Sequence, residues 1–336
     1  IEIMSHFIKG EGFLDFYIAA LITGSILGMD RDLLIKAAAR YLPVIFGGVV
    51  VSFGLTGLVG ALMGYGAKDA ILYVALTIMG GGMGAGAVPL SQIFGTSLNV
   101  EPAEILSKMV PAVALGNALA IVLAGLMSKL GQGKPNFSGE GKLMKSQAEP
   151  DHEKETEYAI DYKFLGMGLL FSTTFFAFGK ILGNFIPIHS YALMIITVAI
   201  VKAIGIFPKE YEVGAFQWFR FIMVNLTPAL LVGIGVAYTD LNEVISAFSI
   251  TYLVLVTVTV LGAAIGAGYV GKLLGFYPLE ASVTGGLCMA NMGGTGDVAV
   301  LSAANRMELM PFAQISSRIG GAFMLIVATA LLKILT

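Results

Sequence analysis

Most of this chain is laid out in apolar runs of about twenty residues or more, the length that crosses the roughly 30 Å hydrocarbon core of a bilayer as one helix. Such runs fall at 12–29, 39–63, 103–130, 162–182, 187–206, 217–238, 244–272 and 310–335. Two further apolar stretches, 70–98 and 279–305, are interrupted at their centres by glycine: Gly80-Gly81-Gly82-Met83-Gly84 and Gly293-Gly294-Thr295-Gly296. No single arm of either stretch is long enough to cross alone. Non-helical backbone is tolerated at membrane depth only where protein or a wet cavity covers it. The expectation is an all-α integral membrane protein with two re-entrant, Gly-rich helical hairpins.

Charge supports this reading. Only 12% of the residues are charged, about half of what a soluble domain carries. A net charge of −2 without basic clusters leaves no electrostatic footprint for nucleic acid. A single cysteine, Cys288, excludes an intramolecular disulfide and a multi-cysteine metal site. His6, His152 and His189 have no metal-binding or catalytic spacing; His189, near a span end, is expected to pack. A membrane-embedded enzyme needs a nucleophile with its base, or a metal cluster, and the spans hold neither arrangement. A channel is expected to carry a continuous polar lining or a filter signature, and none is visible.

The two halves resemble each other at an offset of about 208–212 residues. Ala20-Leu21 and Gly24 match Ala229-Leu230 and Gly233, and Asp32-Leu33 matches Asp240-Leu241. Gly57 and Gly66 match Gly266 and Gly275; Asp69-Ala70 matches Glu280-Ala281 at each hairpin mouth, and Ser91 matches Ser302. The reading is a first repeat at 1–130, a polar linker at 131–161 that is expected to be flexible, and a second repeat at 162–336. The second half places two spans ahead of its copy of the 12–29 segment. A complete protein is therefore expected to carry at least two further N-terminal helices. Basic residues gather in loop 30–40 (Arg31, Lys36, Arg40), in the linker (Lys134, Lys142, Lys145, Lys154) and in a turn near 207–220 (Lys209, Arg220). With those loops in the cytoplasm, the hairpin at 70–98 opens on the outer side and the one at 279–305 on the inner side. The repeats are then inverted, an architecture of alternating-access carriers.

The chemistry is expected at the glycine-rich tips, where half-helix N-termini offer N–H groups and positive dipole ends to an anion. Glycines that only let helices cross closely are the simpler alternative. Arg318, about two turns into the last span, is a costly charge at that depth, and its fork suits a carboxylate. Snorkelling, or a structural pair with Asp297, are the alternatives for it. Lys202, close to a helix end, is expected to snorkel. Asp297 can hold a sodium ion, carry a proton or pair with Arg318, and Asn291 and Thr295 add neutral oxygens beside it.

At these residues the chain resembles the 2-hydroxycarboxylate transporter family, which includes sodium–citrate and sodium–malate symporters and citrate or malate exchangers. The matching stretches run from Met79 to Ser91, from Gly286 to Asp297, and from Asn305 to Arg318. The resemblance implies a homodimer in the bacterial cytoplasmic membrane, with a dimerisation scaffold and a transport domain that moves as an elevator. No cofactor is implied beyond Na⁺ (or H⁺) as coupling ion. The substrate implied is a small di- or tricarboxylate, held by Met83, Gly84, Met292, Gly294, Thr295, Ser317 and Arg318. Sodium is implied at Ile78, Gly81, Met83, Met289 and Asn291 for one site, and at Thr295 and Asp297 for another.

Two departures bear on the substrate. Citrate symporters carry asparagine where this chain has Met83, and arginine where it has Met292. An unpaired carboxylate is expensive to desolvate, so a trianion favours a second cation in its pocket. With Arg318 as the one obvious positive side chain, the expected substrate is a dianion such as malate. Proton-coupled symport of citrate or malate, and citrate or malate exchange against a product, remain the alternatives.

Overall fold

The computed structural model describes residues 12–28, 31–145, 161–186, 190–226, 232, 249–293 and 295–335, and these are helices joined by short turns. His189, residues 146–160 of the linker and the repeat signals at Ala229, Gly233 and Asp240 lie outside the described residues. Among the described residues, five helices are long and apolar enough to cross a membrane: Tyr41–Leu62, Pro102–Gly131, Tyr162–Gly183, Ile250–Leu273 and Phe312–Ile334.

In chain order the helices are α1 (Phe13–Leu27), α2 (Arg31–Leu62), α3 (Val88–Leu98), α4 (Pro102–Gly131) and α5 (Tyr162–Gly183). They continue as α6 (Ser190–Ile204), α7 (Lys209–Asn225), α8 (Ile250–Leu273), α9 (Thr295–Ala304) and α10 (Gly321–Leu335). Local chemistry sets several starts. Pro102 opens α4, where its missing N–H has no helical partner to lose. Asp161 caps α5 by accepting from the Lys163 N–H at 2.8 Å, and Ser249 caps α8 by accepting from the Tyr252 N–H at 3.1 Å.

One helix begins earlier than expected. The segment 207–220 is not a turn: α7 starts at Lys209, and Arg220 lies inside it. Pro208 precedes the helix, and Glu210 and Glu212 fill its first turn, where acidic residues complement the dipole. Counting basic residues as loop markers hid that start.

The helices pack in two groups. In one, α1, α5, α6 and α7 contact each other. In the other, α2 lies along α8, and the broken segments pack against these two and against α4. Glycines set the α2–α8 distance: a methyl group on Gly266 would stand 2.2 Å from the Gly47 carbonyl oxygen, and one on Gly262 would stand 2.8 Å from the Ser52 Cα. Thr56 and Thr259 share a 2.8 Å hydrogen bond across that crossing. Small residues and hydroxyl pairs hold helices together where lipid provides no hydrophobic drive.

Both Gly-rich stretches are broken helices. Residues 67–78 form one helical arm, and 83–98 form the second, which widens into a π-helical turn at Met83–Ala87 before α3. In the other stretch, Pro278–Ala281 leads into a π-helical turn at Ser282–Leu287; irregular backbone follows, and then α9. The first arms pack alike. A methyl group on Gly60 would stand 2.4 Å from the Ala70 Cβ, and one on Gly271 would stand 2.4 Å from the Ala281 Cβ. Gly57 meets Ile71, and Gly268 meets Ser282, so the counterpart of Gly57 in these contacts is Gly268 and not the expected Gly266, which packs on Gly47 instead. Tyr65 N–H reaches the Gly60 carbonyl and Phe276 N–H the Gly271 carbonyl, both at 2.9 Å.

The described part of the linker does not hang free. Residues 134–145 dock on the mouth of the second broken stretch. Leu279 N–H donates to the Phe137 carbonyl at 3.0 Å, Tyr277 N–H to Leu143 at 3.0 Å, and Lys145 N–H to Gly275 at 3.1 Å. Beneath this strap Glu280, fully buried, accepts from Arg306 and from Ser138, both at 3.2 Å. The Arg306 Nη2 also donates to Ser138 Oγ at 3.0 Å.

Candidate functional site

The two breaks come together. In the first, helical bonding ends with the Gly80 N–H on the Thr77 carbonyl at 3.2 Å, and Gly82 adopts φ 99° and ψ −168°, a region open essentially to glycine alone. The next helical bond runs from Ala87 N–H to the Gly82 carbonyl at 2.8 Å, so the amides of residues 83–86 form a helix N-terminus, the end that favours negative charge. In the second break the Gly293 N–H donates to Asn291 Oδ1 at 2.5 Å, and Gly296 N–H donates to the Gly293 carbonyl at 2.6 Å as α9 begins. A methyl group on Gly82 would stand 2.4 Å from the Met292 carbonyl oxygen, and one on Gly293 would stand 3.1 Å from that of Gly81. Backbone thus meets backbone across the tips.

The last span closes on the same point. It passes through a π-helical turn at Ile315–Gly320, a widening common at functional sites. There a methyl group on Gly81 would stand 2.7 Å from the Ser317 carbonyl oxygen and 3.1 Å from the Gly321 Cα. From the other group of helices, α1 brings Tyr17: a methyl group on Gly84 would stand 2.6 Å from its hydroxyl.

A buried carboxylate anchors the cluster. Asp297, in the first turn of α9, is fully buried and accepts from Ser317 Oγ at 2.7 Å and from Asn291 Nδ2 at 2.8 Å. Asn291 and Ser317 are themselves buried, and the Ser316 hydroxyl shares a 3.0 Å hydrogen bond with Tyr41. The resemblance assigned Asn291 and Asp297 to separate sodium sites; here they are hydrogen-bonded to each other. One carboxylate with amide and hydroxyl oxygens is a donor set for a hard monovalent cation. Among the described residues no group of three or more His, Cys, Asp or Glu side chains assembles for a metal ion.

Arg318, next to Ser317, sits with its guanidinium 5.2 Å from the Phe219 ring centroid and 5.9 Å from that of Phe216. Both rings are on α7, so the arginine bridges the two helix groups by cation–π contact. Met83 is buried, whereas Met292 is 38% exposed. Ile78 and Met289 are buried directly before their tips; Ile78 packs on Gly116 of α4, and Met289 packs on Gly320 of the last span. Thr295 opens α9. Gly294 lies outside the described residues.

Two residues read differently in the structure. Lys202 does not snorkel: its side chain is 1% exposed, pairs with Glu212 at 2.8 Å and donates to the Leu27 carbonyl at 2.8 Å, at the end of α1. A buried ammonium near a helix C-terminus is stabilised by carbonyl and carboxylate together. Asn117, not singled out in the sequence, accepts from the Met292 N–H at 3.1 Å. Its signal is an amide halfway along the span, the one polar side chain between Met109 and Met127, a costly placement in lipid.

A family model for the 2-hydroxycarboxylate transporter family matches residues 1–330. The chain is similar to the Na(+)-malate symporter of Bacillus subtilis (strain 168), at 43% identity over 343 residues, covering 100% of this chain and 75% of that protein. It is 42% identical over 325 residues to the citrate transporter CitP of Leuconostoc mesenteroides subsp. mesenteroides, covering 96% and 73%. It is 39% identical over 338 residues to the citrate/sodium symporter of Salmonella typhimurium (strain LT2), covering 98% and 75%.

Proposed function

Because this chain belongs to the 2-hydroxycarboxylate transporter family, we propose that it carries malate, or a hydroxy dicarboxylate like it, into the cell together with Na⁺. It is a secondary transporter, not an enzyme, and a multi-pass protein of the bacterial cytoplasmic membrane. The observation that carries the proposal is the meeting of two glycine tips beside Arg318, with Asp297 buried behind them. The groups that would hold a dianion are the amides at residues 83–86, as a helix N-terminus, and the Arg318 guanidinium, as a fork. Na⁺ is assigned to the oxygens of Asp297, Asn291 and Ser317, with tip carbonyls completing its shell. Overall identity does not separate malate from citrate, since relatives named for each differ by a single percentage point, at 43% and 42%. The choice rests on Met292, which leaves Arg318 as the one cation identified at the tips.

The mechanism we infer is alternating access by inverted repeats, each with a re-entrant hairpin. Exchanged contacts support the symmetry. Gly82 meets residue 292 and Gly293 meets residue 81; 82 and 293, like 81 and 292, differ by 211. The same spacing relates Gly57–Ile71 to Gly268–Ser282, Gly60–Ala70 to Gly271–Ala281, and the Tyr65–Gly60 to the Phe276–Gly271 hydrogen bond. Helices α1, α5, α6 and α7 are read as the scaffold of a homodimer, and the hairpins with α2, α4, α8 and α10 as the body that moves against it. On this reading the substrate sits at that sliding boundary, which the approach of Tyr17 to Gly84 and of Phe219 to Arg318 supports.

The test is uptake of labelled L-malate into proteoliposomes holding the complete protein, under an imposed Na⁺ gradient and then a proton gradient, with citrate as competitor. Sodium-driven uptake that citrate barely inhibits is expected. Uptake driven by protons alone overturns the coupling, and strong inhibition by citrate overturns the substrate.

A further inference from the structure

We propose that Asn117 is a positioning residue for the substrate site, fixing the second tip from α4 through the backbone of Met292. Asn117 is the side chain through which α4 reaches into the tip region: its Oδ1 accepts from the Met292 N–H at 3.1 Å. Directly beside it the Gly293 N–H is taken by Asn291 Oδ1 at 2.5 Å. Two consecutive amides are therefore held by two different side chains, one from a span and one from the tip itself. Gly296 lies between them: a methyl group there would stand 3.0 Å from Asn117 Oδ1 and 2.9 Å from Asn291 Oδ1. The start of α9, which carries Asp297, is thus seated against both amides.

The opposite tip is held in another way. On α4, Gly116 packs on Ile78, and on the last span Gly320 packs on Met289; residues 78 and 289 differ by 211, as 81 and 292 do. The residues that follow these glycines occupy corresponding places: Gly321 against Gly80 and Gly81, and Asn117 against Met292 and Gly296. Gly321 makes its contact by backbone and closely: a methyl group on it would stand 3.0 Å from the Gly80 carbonyl oxygen and 3.1 Å from the Gly81 Cα. Close backbone packing clamps the first tip. On the second tip the hold that the facing span supplies is a side-chain hydrogen bond, so that hold can be removed by one substitution without disturbing helix packing.

Two measurements on the complete carrier test this. Hydrogen–deuterium exchange reads the tip directly, whatever the substrate proves to be. In Asn117→Ala, exchange is expected to speed up in a peptide covering 289–297 and to stay unchanged in one covering 78–87. Asn117→Asp keeps an acceptor in the same place and is expected to keep exchange slow. Equal acceleration at both tips, none at either, or Asn117→Asp exchanging as fast as Asn117→Ala overturns the assignment. The second measurement rests on the proposed function. The KM for L-malate is expected to rise about tenfold in Asn117→Ala, with maximal rate per folded carrier changed by less than about twofold. A fall in maximal rate with KM untouched refutes a role in substrate positioning. If the unsubstituted protein does not carry malate, the exchange experiment still decides the hydrogen bond.

Discussion

Gly82→Ala tests whether the two tips must touch for the protein to work. Two costs follow from the structure. Gly82 holds φ 99° and ψ −168°, a conformation that costs an L-residue about 1–3 kcal/mol. The new methyl group would also stand 2.4 Å from the Met292 carbonyl oxygen and 2.6 Å from its carbon, whereas carbon–oxygen contacts settle at about 3.3–3.6 Å. The obstacle is backbone, not a pliable side-chain end, so the tips must separate by about 1 Å, a misplacement that can cost a preorganised site about a hundredfold. Gly64→Ala separates the two costs. Gly64 also has positive φ, 77°, but nothing lies within 4 Å of its added methyl group, so it carries backbone strain of about 1–2 kcal/mol without displacing anything. Both variants are purified, checked for folded protein by thermal unfolding, and assayed for L-malate uptake in proteoliposomes. We expect Gly82→Ala to lose about two orders of magnitude in uptake efficiency and Gly64→Ala to stay within about threefold of the parent, each normalised to folded carrier. Comparable uptake by the two variants would refute the claim that tip contact builds the site.

Two further outcomes are expected. Arg306→Met strands the fully buried Glu280 carboxylate and should cost about 3–5 kcal/mol, read as a lowered unfolding temperature; Glu280→Leu combined with Arg306→Met should recover much of that loss, and a double variant no more stable than the single one contradicts the pairing. Met292→Arg places a second cation at a tip position that is 38% exposed, so citrate should gain on malate by about tenfold or more as competitor; an unchanged citrate-to-malate ratio removes the charge argument for malate.

The breaks were legible because glycine is densest there, in Gly80-Gly81-Gly82-Met83-Gly84 and Gly293-Gly294-Thr295-Gly296, and dense glycine in an apolar stretch has few physical uses. Asp297 and Arg318 were legible for a related reason, since charge at membrane depth is costly enough to mark itself. What escaped the sequence depends on partners far along the chain. Lys202 looked like a snorkelling helix end because its anion, Glu212, belongs to a helix whose early start was masked by Lys209 and Arg220. Residues 134–145 looked like solvated linker, since their hold on the second hairpin is mostly main chain, through Phe137 and Leu143 carbonyls that any sequence supplies. Asn117 was passed over because one amide among aliphatic residues is a weaker mark than a charge. The contact that assembles the site is the least legible: Gly82 meets the carbonyl of Met292, and a backbone-to-backbone approach requires only that a side chain be missing. Glycine therefore shows where the chain can be approached, but not that the backbone approaching Gly82 is that of Met292.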